Sequence, residues 1–177
     1  ISACHARENR YAGTSDSPRH QQLRLSDGVN PFEFGAPADT VTVEALDYDN
    51  MAIDAGFKYK GFSFQAEYGL RWLSDFEADG PLPDQTIFDQ GFFAQAMHMV
   101  VERKLGLYAT VGLVFDEFNR DPWEVSGGAS FYPYGSRSLR LNLHYIHVEK
   151  SPTGSSFGYY TAGQTGDTVS MGVDILL

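Results

Sequence analysis

The sequence predicts an all-β fold: a transmembrane antiparallel β-barrel, an up-and-down meander with about eight strands in this chain. Three observations predict it. From Phe62 to Trp72 every second residue is bulky or apolar (Phe62, Phe64, Ala66, Tyr68, Leu70, Trp72), with Ser63, Gln65, Glu67, Gly69 and Arg71 between them. A strand sends alternate side chains to opposite faces, so this segment has one apolar and one polar face. The pattern then recurs along the chain to its last residue, and the connections alternate between tight turns and looser loops. In a soluble sheet the apolar face would meet a core; in a barrel of this kind it meets lipid, and the polar face lines a lumen.

Residues 1–10 read as the end of a truncated strand. The run Ile1-Ser2-Ala3-Cys4-His5-Ala6-Arg7 has neither an initiator Met nor a signal-peptide core, which suggests a chain that begins inside a longer protein. Residues 11–47 are too long for a hairpin turn and are rich in Ser, Pro, Asp and Gly, with short apolar patches at Leu23-Arg24-Leu25 and Phe32-Glu33-Phe34. We read them as a long extracellular loop, of the kind that is functional or disordered and that in channel-forming barrels can fold into the lumen.

Residues 48–177 hold the barrel strands and their hairpins. Met51, Ile53, Ala55, Phe57 and Tyr59 are read as outward, against inward Ala52, Asp54, Gly56 and Lys58. The segment Gly91–Val100 is the least clear, since both of its faces are apolar. Leu105 to Phe115 place Leu, Ala, Val and Phe outward and Gly106, Tyr108, Thr110, Gly112 and Asp116 inward. Trp123–Phe131 turn Glu124, Ser126, Gly128 and Ser130 inward; Leu139–Tyr145 do the same with Arg140, Asn142 and His144; Val169–Leu177 with Ser170, Gly172 and Asp174. The tight turns are Lys60-Gly61, Glu102-Arg103-Lys104 and Gly135-Ser136-Arg137, and the looser connections are Asp79–Asp89, Asn119–Pro122 and Ser151–Gly166. Tight turns belong to the periplasmic rim and longer loops to the outer one.

Composition fits. Aromatics make up 14% of 177 residues and fall near both rims: Tyr59, Phe62 and Phe131 beside tight turns, Trp72, Phe92, Phe115 and Trp123 beside the loops. A soluble sandwich explains alternation but not aromatics at both ends. No run of about 18 apolar residues exists, so no membrane helix is expected. The net charge of −10 and the lack of basic clusters argue against nucleic acid as a partner. With one cysteine, Cys4, no intramolecular disulfide is possible.

No enzyme constellation emerges, and no cofactor or metal is expected. Ser130, His144 and Glu67 lack motif spacing, His144 and His147 fall on opposite strand faces, and Gly127-Gly128 precedes no helix. The residues we take as pore-lining are Lys58, Gln65, Glu67, Arg71, Tyr108, Asp116, Glu124, Arg140, Asn142, His144 and Asp174.

The run Tyr48–Leu73 (YDNMAIDAGFKYKGFSFQAEYGLRWL), together with Phe88-Asp89-Gln90-Gly91-Phe92-Phe93, Trp123-Glu124-Val125-Ser126-Gly127-Gly128 and the region Ser151-Pro152 to Gly166, resembles the C-terminal half of the phosphate-selective porin O and P family. The resemblance spans most of residues 24–177 and lies in the order and spacing of strand and turn patterns. It implies roughly half of a sixteen-stranded trimeric porin of the Gram-negative outer membrane, passing anions. Two departures stand out. The chain ends in Leu177, where such barrels commonly end in Phe. Its inferred lumen wall carries only Lys58, Arg71 and Arg140 as bases, with Asp54, Glu67, Asp116, Glu124 and Asp174 beside them.

The expected function is that of an outer-membrane porin, a passive diffusion channel for small hydrophilic solutes, with anions such as phosphate among them. Its partners would be membrane lipid, those solutes, the remaining N-terminal barrel strands and further copies in a homotrimer. The alternative is a small closed eight-stranded barrel acting as a membrane anchor or adhesin; a barrel enzyme acting on lipid is a third reading. A small barrel must fill its interior with side chains, yet the inward positions include Gly56, Gly69, Gly106, Gly112, Gly128 and Gly172. We therefore expect these strands not to close on themselves. We also expect Leu70, Trp72, Leu107, Val111, Leu141 and Val173 to face outward and be exposed.

Overall fold

The structure is a computed structural model describing residues 1–10, 23–151 and 163–176. The residues of the Tyr11–Asp47 loop before position 23, most of the Ser151–Gly166 connection and Leu177 lie outside the described residues. Eight strands form one antiparallel sheet: β1 (Ser2–Asn9), β2 (Val43–Tyr59), β3 (Phe62–Ala78), β4 (Thr86–Val101), β5 (Leu105–Asp116), β6 (Trp123–Phe131), β7 (Leu139–Glu149) and β8 (Gly166–Ile175). Each strand pairs only with its neighbours in sequence, in the order β1 to β8, and β1 does not pair with β8. The meander is therefore as expected, and the ring is open. No helix occurs among the described residues.

The hairpin chemistry is local. At Lys60-Gly61 both residues have positive φ (42° and 80°), the type I′ geometry whose twist matches two strands, and Tyr59 pairs directly with Phe62. Arg103, at φ 59°, turns β4 into β5, closed by Lys104 N–H donating to the Val101 carbonyl at 3.0 Å. The third turn is longer than expected. Pro133 cannot donate to a ladder, so β6 stops at Phe131 and the chain takes residues 132–138 to reach β7. That connection is no shorter than the one between β5 and β6 at the opposite end, so the contrast of turn lengths is weakest there.

The first strands are also longer than the alternation suggests. β2 and β3 each run 17 residues, with β2 starting at Val43 rather than 48 and β3 continuing past Leu73 to Ala78. The pairing register shifts near Ala45, opposite the stretch Ser74–Glu77, and Asp75 has a φ of 48°. An extra residue on one strand bends it and breaks the period-two pattern, which hides the extension from a sequence reading. Beyond this irregularity Val43 and Leu46, an odd and an even position, are both fully buried.

The two faces segregate by side-chain type. One face carries Ile53, Phe57, Leu107, Val125, Leu143, Met171 and Val173, all exposed, with no charged residue between Met51 and Tyr59, Phe62 and Trp72, Leu105 and Phe115, or Val169 and Ile175 on that face. Leu107, Leu141 and Val173 are exposed there as expected. Leu70, Trp72 and Val111 share the face but are half-buried, because neighbours cover them: Trp72 packs against Phe88 at 5.2 Å, and Val111 lies between Ala94 and Val125. At the tight-turn end Phe57 touches Phe62 and Phe64, with ring centroids 5.6 and 6.0 Å apart. At the loop end Trp72 meets Phe88, and Trp123 meets His147 at 5.1 Å. Phe88 is thus the β4 aromatic at that rim; Phe92 sits further down, between Tyr68 and Leu113.

The only sizeable core among the described residues lies on the other, polar face, at its loop end. Leu25 and Phe32 from the segment before β2 pack with Val43, Leu46, Leu73 and Ile87. The long loop, in its described part, folds back onto the sheet. Short side chains shape it: Asp27 accepts from Val29 N–H at 3.0 Å and Asn30 from Phe32 N–H at 3.0 Å, two-residue hydrogen-bonded turns that Asp and Asn favour.

Candidate functional site

The polar face is the candidate site. Directly opposed residues in an antiparallel ladder point the same way, so the register places residues of different strands on one wall. Lys58 lies opposite Ser63, which shares its parity with Gln65, Glu67 and Arg71. Met97 lies opposite Tyr108, Tyr108 opposite Gly128, Gly128 opposite His144, and Arg140 opposite Asp174. Followed strand by strand, all eleven residues expected to line a pore occupy this one face.

They fall into three zones. At the loop end Arg71 donates to Asp89 through Nε at 2.9 Å and again through Nη2, and to the Arg24 carbonyl at 2.6 Å. Asp89 lies opposite Asp116, a like-charge pair that is costly unless compensated. Compensation comes from both sides. Arg71 takes Asp89, while Arg120 donates to Asp116 through Nε at 2.6 Å and to Asp27 of the folded-back loop. The Ser26 hydroxyl also donates to Asp116. This network ties residues 24–27 to the wall, and it sits beside the apolar core that does the same.

In the middle, Glu67, Phe93, Gly112 and Glu124 form one row across β3 to β6. A cavity of about 370 Å³ lies over that row and is lined by Glu67, Gly69, Gly91, Phe93, Gly112 and Glu124, among others. The glycines are not demanded by packing. A Cβ built at Gly69 meets no atom within 4 Å, and one at Gly91 meets only a carbonyl at 4.0 Å. Toward the tight turns, Tyr108 donates to or accepts from His144 Nδ1 at 2.6 Å and stacks on it at 5.4 Å. Gly128 is required here: a Cβ would fall 2.5 Å from the Tyr108 oxygen.

At the tight-turn end Arg140 Nε and Asn142 Nδ2 both donate to Asp174, at 3.0 and 2.9 Å, and Ser130 donates to Asn142 at 2.8 Å. Gln65 and Lys58 are exposed, and Lys58 forms no ion pair among the described residues. No group of three or more His, Cys, Asp or Glu that could hold a metal occurs among the described residues.

Sequence reasoning missed Asp89, Arg120, Asp27 and Ser26. Asp89 shares its parity with Gly91 and Phe93, so extending β4 five residues upstream would have found it. Arg120 lies only four residues from Asp116 but in the connection after β5, outside the strand pattern; its contact with Asp27 and that of Ser26 with Asp116 span about ninety residues of sequence and leave no local signal. No family model matches the chain, and no curated protein or solved structure matches it either.

Proposed function

We propose that this chain forms part of the wall of an outer-membrane porin, a barrel that passes small hydrophilic solutes by passive diffusion. The observation that carries the reading is the segregation of the sheet: an apolar face, largely exposed and without charge across its middle, backed by a face lined with Arg, Glu, Asp, His and Asn. Such a sheet in water exposes far more contiguous apolar surface than a soluble protein tolerates. In a membrane the same surface meets lipid, and only a closed ring satisfies the backbone. The 12 residues of β5, at about 3.3 Å each and tilted by about 40°, cover roughly 25–30 Å of bilayer.

The open edges at β1 and β8 favour a wider ring over a closed eight-stranded anchor. Such a ring takes further strands, from the same polypeptide or from other copies, and a homotrimer of such barrels accords with the resemblance noted above. The segment that folds onto the polar face would narrow the lumen at the outer mouth. Incorporation of the full polypeptide into planar bilayers tests the reading. Discrete conductance steps are expected; a protein that inserts into lipid yet never conducts would refute it and restore the anchor.

A further inference from the structure

We infer that this wall biases the channel toward cations, with Glu67 and Glu124 as the residues that select; the inference rests on the channel reading above. The amino-acid count alone does not carry it. The inward positions of β2 to β8 hold six carboxylates (Asp54, Glu67, Asp89, Asp116, Glu124 and Asp174) and three bases (Lys58, Arg71, Arg140). What decides is which of them are already spent on one another.

Both arginines are neutralised in place. Arg71 is bound to Asp89, and Arg140 to Asp174 at 3.0 Å. Neither guanidinium is left to attract an anion, as a ladder of free bases would. Lys58 stands apart near the tight-turn end, four residues along β2 from Asp54. The acids at mid-wall are in the opposite condition. Glu67 and Glu124 form no ion pair or hydrogen bond to a side chain among the described residues. Asp54 lies directly opposite Glu67, a like-charge pair with only the Ile1 amine near it, 3.8 Å from Asp54. Asp89, though bound through one oxygen to Arg71, leaves its other oxygen buried with no donor.

The placement matters as much as the charge. Asp54, Glu67, Phe93, Gly112 and Glu124 stand in one cross-strand row, so Glu67 and Glu124 are about 14 Å apart along the wall at roughly 4.8 Å per strand. The cavity beside Phe93, lined by Gly69, Gly91 and Gly112 as well as by both acids, lets a hydrated ion or an organic cation approach either carboxylate. At about 7 Å in a water-like medium one carboxylate enriches a monovalent cation roughly threefold and depletes an anion by as much. A narrower, less polarisable passage strengthens the bias, and rings of carboxylates are a general device of cation channels.

The test is the zero-current potential of the full polypeptide in a planar bilayer under a potassium chloride gradient. Glu67→Gln with Glu124→Gln should lower the potassium-to-chloride permeability ratio by about threefold or more, and each single variant by less. Asp167→Asn, on the apolar face of β8, should leave it unchanged. Charges contributed by other strands cancel in the comparison of variant with parent. Conducting channels whose ratio is unmoved by the double variant, or by both singles if the double does not insert, would overturn the inference and leave the porin reading standing. Absence of conductance in the parent would fell the porin reading and this inference with it.

Discussion

The loop that folds onto the wall can be released by one substitution, Phe32→Ala. Phe32 is fully buried, 0% exposed, among Leu25, Val43, Leu46, Leu73 and Ile87, whereas Phe34, two residues on, is 68% exposed. A buried phenylalanine removes on the order of 150–200 Å² of apolar surface from water, worth about 4 kcal/mol at about 25 cal/mol per Å². Partial collapse of the cavity brings the cost of truncation to about 3–4 kcal/mol. The polar network at Asp27, Asp116 and Arg120 remains in the variant, so docking weakens rather than disappears. A loss of about 3 kcal/mol still raises the undocked population by roughly two orders of magnitude. Trypsin reads this directly, because Arg24 is half-buried and engaged at the wall. Cleavage after Arg24 should accelerate by a factor of about 100 in Phe32→Ala and stay unchanged in Phe34→Ala. Single-channel conductance should rise in the same variant if the loop narrows the mouth. Equal cleavage rates in both variants would refute the assignment of Phe32 as the residue that seats the loop.

Val111→Arg should cost about 2–4 kcal/mol in a refolding titration into lipid, since Val111 lies near the middle of the apolar face; a near-zero cost would argue against lipid there. Gly128→Ala should lower stability by about 1–3 kcal/mol, because the new methyl meets the Tyr108 ring and the Leu143 carbonyl and forces a shift of one or the other. Gly69→Ala, with nothing within 4 Å of its Cβ, should by contrast fall within about 0.5 kcal/mol of the parent when both glycine variants are compared in a thermal melt. Gly61→Ala should cost about 1 kcal/mol in that melt, as Gly61 sits at a φ of 80° where a side chain is strained.

The parts of this fold that were legible in the sequence are those set by neighbouring residues. Alternation from Phe62 to Trp72 reports a strand because the faces of a strand are fixed two residues at a time, and Lys60-Gly61 reports a turn because few other residues tolerate its backbone. The ends of β2 and β3 were not legible. The irregularity at Asp75 shifts the parity, and Asp47, Glu44 and Glu77, which extend the strands, are tied to Arg7 and Arg10 on or just after another strand. The two apolar patches of the long loop were visible, but not that Leu25 and Phe32 would find Leu73 and Ile87, more than forty residues away. Phe93, Met97 and Met99 made both faces of β4 look apolar; the structure sets Met97 and Met99 against Gly106, so part of the polar wall is a small packed patch. The eleven candidate residues were placed on one face by parity alone. Parity could not say that Arg71 and Arg140 have carboxylate partners.

The strict neighbour-to-neighbour pairing of β1 to β8 makes the wall a one-dimensional array. Each strand's backbone pairs only with the one before and the one after it, and few side chains reach past a neighbour, as Tyr108 does to His144 and Arg7 to Glu77, so a defect in one hairpin weakens chiefly the strands beside it. The hairpin, rather than the strand, is then the natural unit of gain and loss. Removing or duplicating two successive strands keeps every remaining turn on its own rim and every remaining side chain on its own face. Removing one strand would turn all later loops to the wrong side. A sheet built this way can change width in steps of two strands without rewriting which residues lie on its polar face.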